Sequence, residues 1–247
     1  MRNEKILIQR SFNKAFKTYD AYGYMSLKIC KELLSQLKKL EFNYQIIADF
    51  ACGTGISTQE ISSSFSFNNL YAIDFCNNLL SEAKKKVKNS NILFILGDFD
   101  DFLFFEHSLQ LIFCNMGLQW SLDLRNTFQV FSYQLVHSGI MAFSIPLEGT
   151  FNELDENSRN QFYQPGIINN LLAINGFSIL SYQEKIFTDE FKTIQEAIRS
   201  IKYIGANCLL QRRKSDLSTR PIFKFSFTNK MGICLTYRIG FFVCRQV

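Results

Sequence analysis

At 247 residues, 47% hydrophobic and with a net charge of +5, the chain can bury one large α/β core and is no disordered polymer. No stretch approaches the roughly 18 uninterrupted apolar residues of a membrane span. The opening Met1-Arg-Asn-Glu-Lys5 lacks the apolar region and cleavage site of a signal peptide. Seven scattered cysteines without a CxxC pair indicate neither a disulfide framework nor a zinc site, and point to reduced thiols in a cytoplasmic protein. The only two histidines, His107 and His137, exclude a His-rich metal cage and lie in no nucleophile motif, so no metal is expected.

Taken in chain order, Ile6 to Leu40 reads as helices with apolar Leu27, Leu34 and Leu37 among lysines. Ile46 to Phe50 is a short buried strand, Ser57 to Ser64 a helix, and Leu70 to Asp74 a second strand. A helix over Asn78 to Lys88 leads to strands at Ile92 to Leu96 and Leu109 to Cys114. Leu124 to Val136 is predicted helical and Ile140 to Ser144 a fifth strand. Beyond Pro146, Ile167 to Ala173 reads as helix, Phe177 to Phe187 as extended, Thr193 to Tyr203 as helix and Leu235 to Arg245 as a last strand. Strands alternating with helices predict a mostly parallel sheet covered on both faces.

In such a sheet, ligands bind beyond the carboxyl ends of the strands. Asp49 closes the first strand, and Ala51, Cys52, Gly53 and Gly55 fill the turn that follows, where small residues let a ligand approach the backbone. A dinucleotide site would want G-x-G-x-x-G; here Thr58 stands at the third glycine, which counts against that ligand. Asp74, with Phe75 beside it, ends the second strand and can accept both ribose hydroxyls of an adenosine ligand. Asp98 after the third strand can accept from an adenine amino group while Phe99 packs nearby, and Asn115 with Met116 follows the fourth. Each acid alone could be a turn former or a cap. Together, at the ends of successive strands, they resemble the class I methyltransferases. That resemblance implies a Rossmann-like seven-stranded sheet and S-adenosylmethionine as cofactor. The family usually carries glycine where Ala51 stands.

Further segments resemble one subgroup, the malonyl-acyl-carrier-protein O-methyltransferases of biotin synthesis. Ser11 to Asp20, including Tyr19, is similar to the subgroup's opening helix, and Cys114-Asn-Met-Gly-Leu-Gln-Trp120 to its S-N-x-x-x-Q-W segment. Ala142 to Leu154 resembles F-[ST]-x-x-x-x-G-[ST]-x-x-E-L, and Ile198 to Ala206 resembles R-x-[IL]-K-x-[IL]-G-A. Leu235-Thr-Tyr237 leads into the last strand as in the subgroup, whereas Ser158-Arg-Asn-Gln replaces an expected His-containing segment before Phe162. The resemblance implies a single domain over 1–247: an N-terminal helical cap (1–42), a cofactor core (43–146) and a substrate or lid region with the final strands (147–247). It further implies methyl transfer to the free carboxylate of a malonyl thioester on acyl carrier protein, with Tyr19, Trp120 and Tyr237 about the substrate and Tyr19 also at the cofactor.

A malonyl carboxylate is already ionised at pH 7, so no acid–base catalyst is expected. Arg199 and Lys202 share the polar face of a helix whose apolar side is Ile194, Ala197, Ile198 and Ile201. Arg199 is the expected holder of the malonyl carboxylate or the carrier's phosphate, and Lys202 with Arg212-Arg213-Lys214 is a candidate docking patch for an acidic carrier. Competing readings are methylation of a small free acid, as in aconitate methyltransferases, of a quinone-type carbon, or a cofactor-binding regulatory module. Nucleic acid is not an expected partner: the charge is small for phosphate tracking, and Asn115-Met-Gly-Leu stands where base methyltransferases carry N-P-P-[YF].

Overall fold

Period-two alternation sorts the strand residues into two layers of core, one on each side of a sheet, in a computed structural model describing residues 3–101, 106–210, 225 and 233–247. The N-terminal helices are α1 (Asn3–Ala15), α2 (Tyr19–Tyr22) and α3 (Tyr24–Lys38). There follow β1 (Ile46–Phe50), α4 (Ile56–Ser64), β2 (Asn69–Asp74), α5 (Asn77–Lys86), β3 (Ile92–Leu96) and β4 (Leu109–Asn115). A 3-10 turn over Leu118–Trp120 precedes α6 (Leu124–Gln134) and β5 (Leu135–Pro146). Last come α7 (Pro165–Ile174), β6 (Phe177–Phe191), α8 (Ile194–Tyr203) and β7 (Ile233–Gln246). The seven strands lie in the order β3-β2-β1-β4-β5-β7-β6, with β7 running antiparallel to both β5 and β6 and the other pairs parallel. This is the expected Rossmann-like sheet, and its order reverses between β1 and β4, where such sheets bind ligands.

Leu111 and Phe113 of β4 and Leu235, Ile239 and Phe241 of β7 point into one layer, where α3 contributes Ile29, Leu33 and Leu37 at helical spacing. Ile112 of β4 and Phe242 of β7 point into the other, beneath Phe128 and Phe131 of α6, Leu172 of α7 and Ile8 of α1. Among the described residues no helix is long and apolar enough to cross a membrane.

Two boundaries differ from the expected ones. The helix expected to reach Val136 stops at Gln134, because the amides of His107 and Ser108 donate to the carbonyls of Tyr133 and Gln134. Leu135 then pairs with Leu109, and β5 begins five residues early across a register shift. The extended segment after Phe177 runs to Phe191 because β7 starts at Ile233 and pairs along its whole length. Arg212, Arg213 and Lys214 lie outside the described residues.

Ala51 holds φ +57, the left-handed region where an L side chain is strained, and its Cβ rests against Gly117. A Cβ on Gly117 would stand 2.6 Å from that of Ala51 and 2.7 Å from Cys114 Sγ. Gly117→Ala is therefore expected to cost ~1–3 kcal/mol in urea unfolding, and adding Ala51→Gly should recover part of the loss. An unchanged midpoint for the single variant would show that the contact can relax.

Candidate active site

The turn after β1 is built from short-range constraints. Asp49 is fully buried, and its Oδ2 accepts hydrogen bonds from Ser57 Oγ (2.8 Å) and Thr58 Oγ1 (2.6 Å) in the first turn of α4. The residue that replaces the third glycine of a dinucleotide fingerprint thus has work of its own. Asp49 Oδ1 is buried without a partner among the described residues. Gly53 and Gly55 both have positive φ, +56 and +85; a Cβ on Gly53 would face the Tyr19 hydroxyl at 3.6 Å, and one on Gly55 would press on Ala83 and Val87 at 3.1 Å.

Asp74 ties the turn to β2. Its Oδ2 accepts the Gly53 N–H (2.8 Å) and its Oδ1 the Cys76 N–H (2.7 Å). An ionised carboxylate has about four acceptor sites, so two remain for vicinal hydroxyls. Burial pushes Asp49 up to about 7 and Asp74 up to about 6, in Asp74 against the two backbone donors. With native values above the unfolded 3.8, the folded ligand-free chain holds more protons between about pH 4 and 7. Its stability should fall as pH rises through that window and level off above it. Cofactor affinity should run the other way, rising from pH 5 to 7 as Asp74 ionises and can accept hydroxyls. Calorimetric titration with S-adenosylhomocysteine alongside thermal melts checks both; an affinity independent of pH would contradict the assignment.

Other expected residues are placed more variously. Asp98 Oδ1 accepts from Lys5 Nζ at 2.9 Å, and Phe99 is buried below that ammonium. Phe75 is partly buried, and its carbonyl accepts from Gln9 of α1 (2.6 Å). Asn115 is held in place: its Oδ1 accepts from Ser144 Oγ (2.8 Å) and its Nδ2 donates to the Ser26 carbonyl (3.0 Å). Cys52 is buried beneath the turn and its thiol is raised by burial, so it is no nucleophile.

A cleft of about 980 Å3, its open mouth included, is lined by Met116 and by Tyr19, whose hydroxyl faces Gly53 of the turn. Trp120 and Tyr237 line the cleft; Phe12 meets Trp120 edge-on at 5.3 Å. Burial, then Asp74, raises the Tyr19 hydroxyl, which stays protonated as a donor. The segment Gly149 to Leu154 places Tyr237: Thr150 Oγ1 exchanges two 3.0 Å hydrogen bonds with the backbone of Arg238, while Glu153 accepts from the backbone and hydroxyl of Thr236. Arg199 and Lys202 are not in the cleft. Both are exposed on the outer face of α8, whose Ser200 and Ile201 line the cavity. The polar face of an amphipathic helix points to solvent, which is why spacing alone did not carry them inward. The described cation lining the cleft is Arg159, from the segment that departs from the expected pattern, and Asp189 is its described acid.

The site suits S-adenosylmethionine: a close-approach turn, a buried carboxylate with spare acceptors, an Asp49 oxygen with no partner among the described residues, and Asp98 after β3. Residues 47–139 match the family described as a methyltransferase domain. A Haemonchus contortus phosphoethanolamine N-methyltransferase solved with S-adenosylhomocysteine shares the fold, with a TM-score of 0.58 at 14% identity over 87% of this chain and 52% of that one. The chain is a class I S-adenosylmethionine-dependent methyltransferase.

Its relatives narrow the class. Malonyl-[acyl-carrier protein] O-methyltransferase 2 of Coxiella burnetii is 53% identical over 97% of this chain and 96% of its own length. The malonyl-[acyl-carrier protein] O-methyltransferase of Priestia megaterium is 31% identical over 82% of each. The chain belongs to the malonyl-[acyl-carrier protein] O-methyltransferase family.

Proposed function

We propose that the protein methylates the free carboxylate of a malonyl group carried as a thioester on acyl carrier protein, with Arg159 holding that carboxylate. The observation that carries this reading is the charge inventory of the cleft: one cation, Arg159, and one acid, Asp189, among the described lining residues, with aromatic walls. One guanidinium matches one carboxylate in a bidentate pair. A free di- or tricarboxylic acid would bring a second carboxylate with no described cation to meet it.

Asp49, Gly53, Asp74 and Asp98 would hold the cofactor, with Tyr19 and Met116 where its reacting end meets the cleft. Bound there, S-adenosylmethionine would supply a methyl group on a sulfonium, transferable to the carboxylate oxygen with the S–CH3 electron pair returning to sulfur. No proton moves, so the chain's residues need only align the carboxylate, strip its water and hold it still. Trp120, Phe12 and Tyr237 wall off solvent, and Arg159 fixes the anion. Arg199 and Lys202 sit outside on a helix whose inner face lines the cleft, where they meet the acidic carrier or its phosphate.

The test is transfer of labelled methyl from S-adenosylmethionine to malonyl-carrier protein, malonyl-CoA, free malonate and aconitate. An alkali-labile methyl ester is expected on the thioesters, fastest on the carrier and slowing with added salt. Ester formation on the free acids alone would replace this reading, and no transfer to any acceptor while cofactor binds would favour a regulatory module.

A further inference from the structure

The least expected charge in the molecule is Lys5, near the start of α1. It is 3% exposed, although lysine is almost never buried without partners. Its ammonium sits 2.9 Å from Asp98 Oδ1 and 2.8 Å from Asp100 Oδ2, 4.5 Å from the centre of the Phe99 ring and 5.4 Å from that of Phe75. These are the residues at the adenine end of the cofactor site.

The arrangement is rigid on every side. Asp100 is itself held, its Oδ1 by Thr127 Oγ1 of α6 (2.6 Å) and its Oδ2 by the Leu122 N–H (3.0 Å). Gln9, one turn further along α1, donates to the carbonyl of Phe75. Asp98 Oδ1 takes Lys5 and the Asp100 N–H (3.1 Å), while Oδ2 has no partner among the described residues. One oxygen is therefore pinned and the other is left to accept. A fixed acceptor favours a 6-amino purine and opposes a 6-oxo purine, whose carbonyl would face it.

We propose that Lys5 is the positioning residue for purine selection: it pins Asp98 so that Oδ2 faces the 6-amino group of adenine, making α1 part of the cofactor's recognition site. The proposal rests on the reading of the site as one for S-adenosylmethionine. Without Lys5, Asp98 Oδ1 keeps only the Asp100 N–H, so the carboxylate can turn more readily from a 6-oxo group and loses the charge that orients it.

The experiment measures affinity for S-adenosylhomocysteine and S-inosylhomocysteine, which differ at the 6-position, in the full-length protein. The wild type is expected to prefer the adenosyl ligand strongly. Lys5→Met should weaken the adenosyl ligand about tenfold and change the inosyl ligand less than twofold, so the preference collapses. Lys5→Arg, which keeps both ion pairs within reach, should retain most of it. Should Lys5→Met not fold, Asp100→Asn loosens the far anchor of Lys5 and is expected to erode the preference about threefold. Equal losses for the two ligands, or an unchanged preference, would make Lys5 a structural ion pair and overturn the proposal. Failure of the wild type to bind the adenosyl ligand at all would instead overturn the underlying reading of the site.

Discussion

Asp74→Asn is expected to weaken binding of S-adenosylhomocysteine by roughly a hundredfold, about 2.7 kcal/mol. The side chains are isosteric, so the effect is one of hydrogen-bond direction. Asp74 accepts two backbone N–H groups, from Gly53 and Cys76, on its two oxygens. Asparagine has one acceptor atom, and its NH2 must confront one of those donors or turn and expose both to a vacancy. Each unsatisfied buried group costs ~1–3 kcal/mol. The same exchange removes the acceptors meant for ribose, so the turn and the ligand lose together. Removing the charge from a carboxyl already raised to about 6 offsets a little of the stability loss and none of the affinity loss. Titration calorimetry reads the affinity and chemical unfolding the stability. Near-normal affinity would show that ribose is held elsewhere.

Arg159→Ala should raise KM for malonyl-CoA about 10- to 100-fold, the range of ~1.5–3 kcal/mol for a lost charge-assisted pair, and leave cofactor affinity unchanged. Arg159→Lys should restore only part, since a point charge cannot match a carboxylate with two parallel donors. The contrasting variant is Arg199→Ala, outside the cleft. It should leave KM for malonyl-CoA within about twofold and raise it only for malonyl-carrier protein at low salt. If Arg199→Ala cripples turnover on the small thioester while Arg159→Ala does not, the anchor has been assigned to the wrong face of the cleft. Arg159 is partly exposed and donates to Asn152, so little folding free energy is expected to depend on it.

The parallel half of the sheet is legible in the amino-acid sequence because its signals are local. Ile46 to Phe50, apolar but for Asp49, and Ile92 to Leu96 are short runs bounded by polar and turn residues, and the strands start and stop where those runs do. The start of β5 is not legible, since Leu135 and Val136 continue the apolar spacing of α6. What ends that helix is a pair of amides 26 residues away in sequence, as in the bond from Ser108 to Gln134. The candidate site divides in the same manner. Asp49, Gly53, Gly55 and Asp74 are readable from spacing because the turn that assembles them is contiguous or one crossover long. The bonds that hold Asn115 are not readable, because Ser26 and Ser144 reach it only in the folded chain. Lys5 carries no local mark at all; its pair with Asp98 spans 93 positions. Arg159 is visible only as a departure from a familiar pattern, and its place on the wall of the cleft depends on where the chain after β5 folds back.

The antiparallel strand β7 has a bearing on how the protein is made. It is synthesised after β6, yet it lies between β5 and β6. Until residues 233–246 emerge, β5 has an open hydrogen-bonding edge, and Phe143 lacks the Phe242 ring that stacks on it at 4.8 Å. Making residues 192–246 occupies the ribosome for roughly 3–11 s at about 5–20 residues per second. The nascent chain therefore holds a formed cofactor half beside a bare apolar edge for seconds, the condition under which strands recruit foreign partners. Demand for a chaperone should peak late in translation, and chains stopped before Ile233 should aggregate where chains carrying β7 remain soluble.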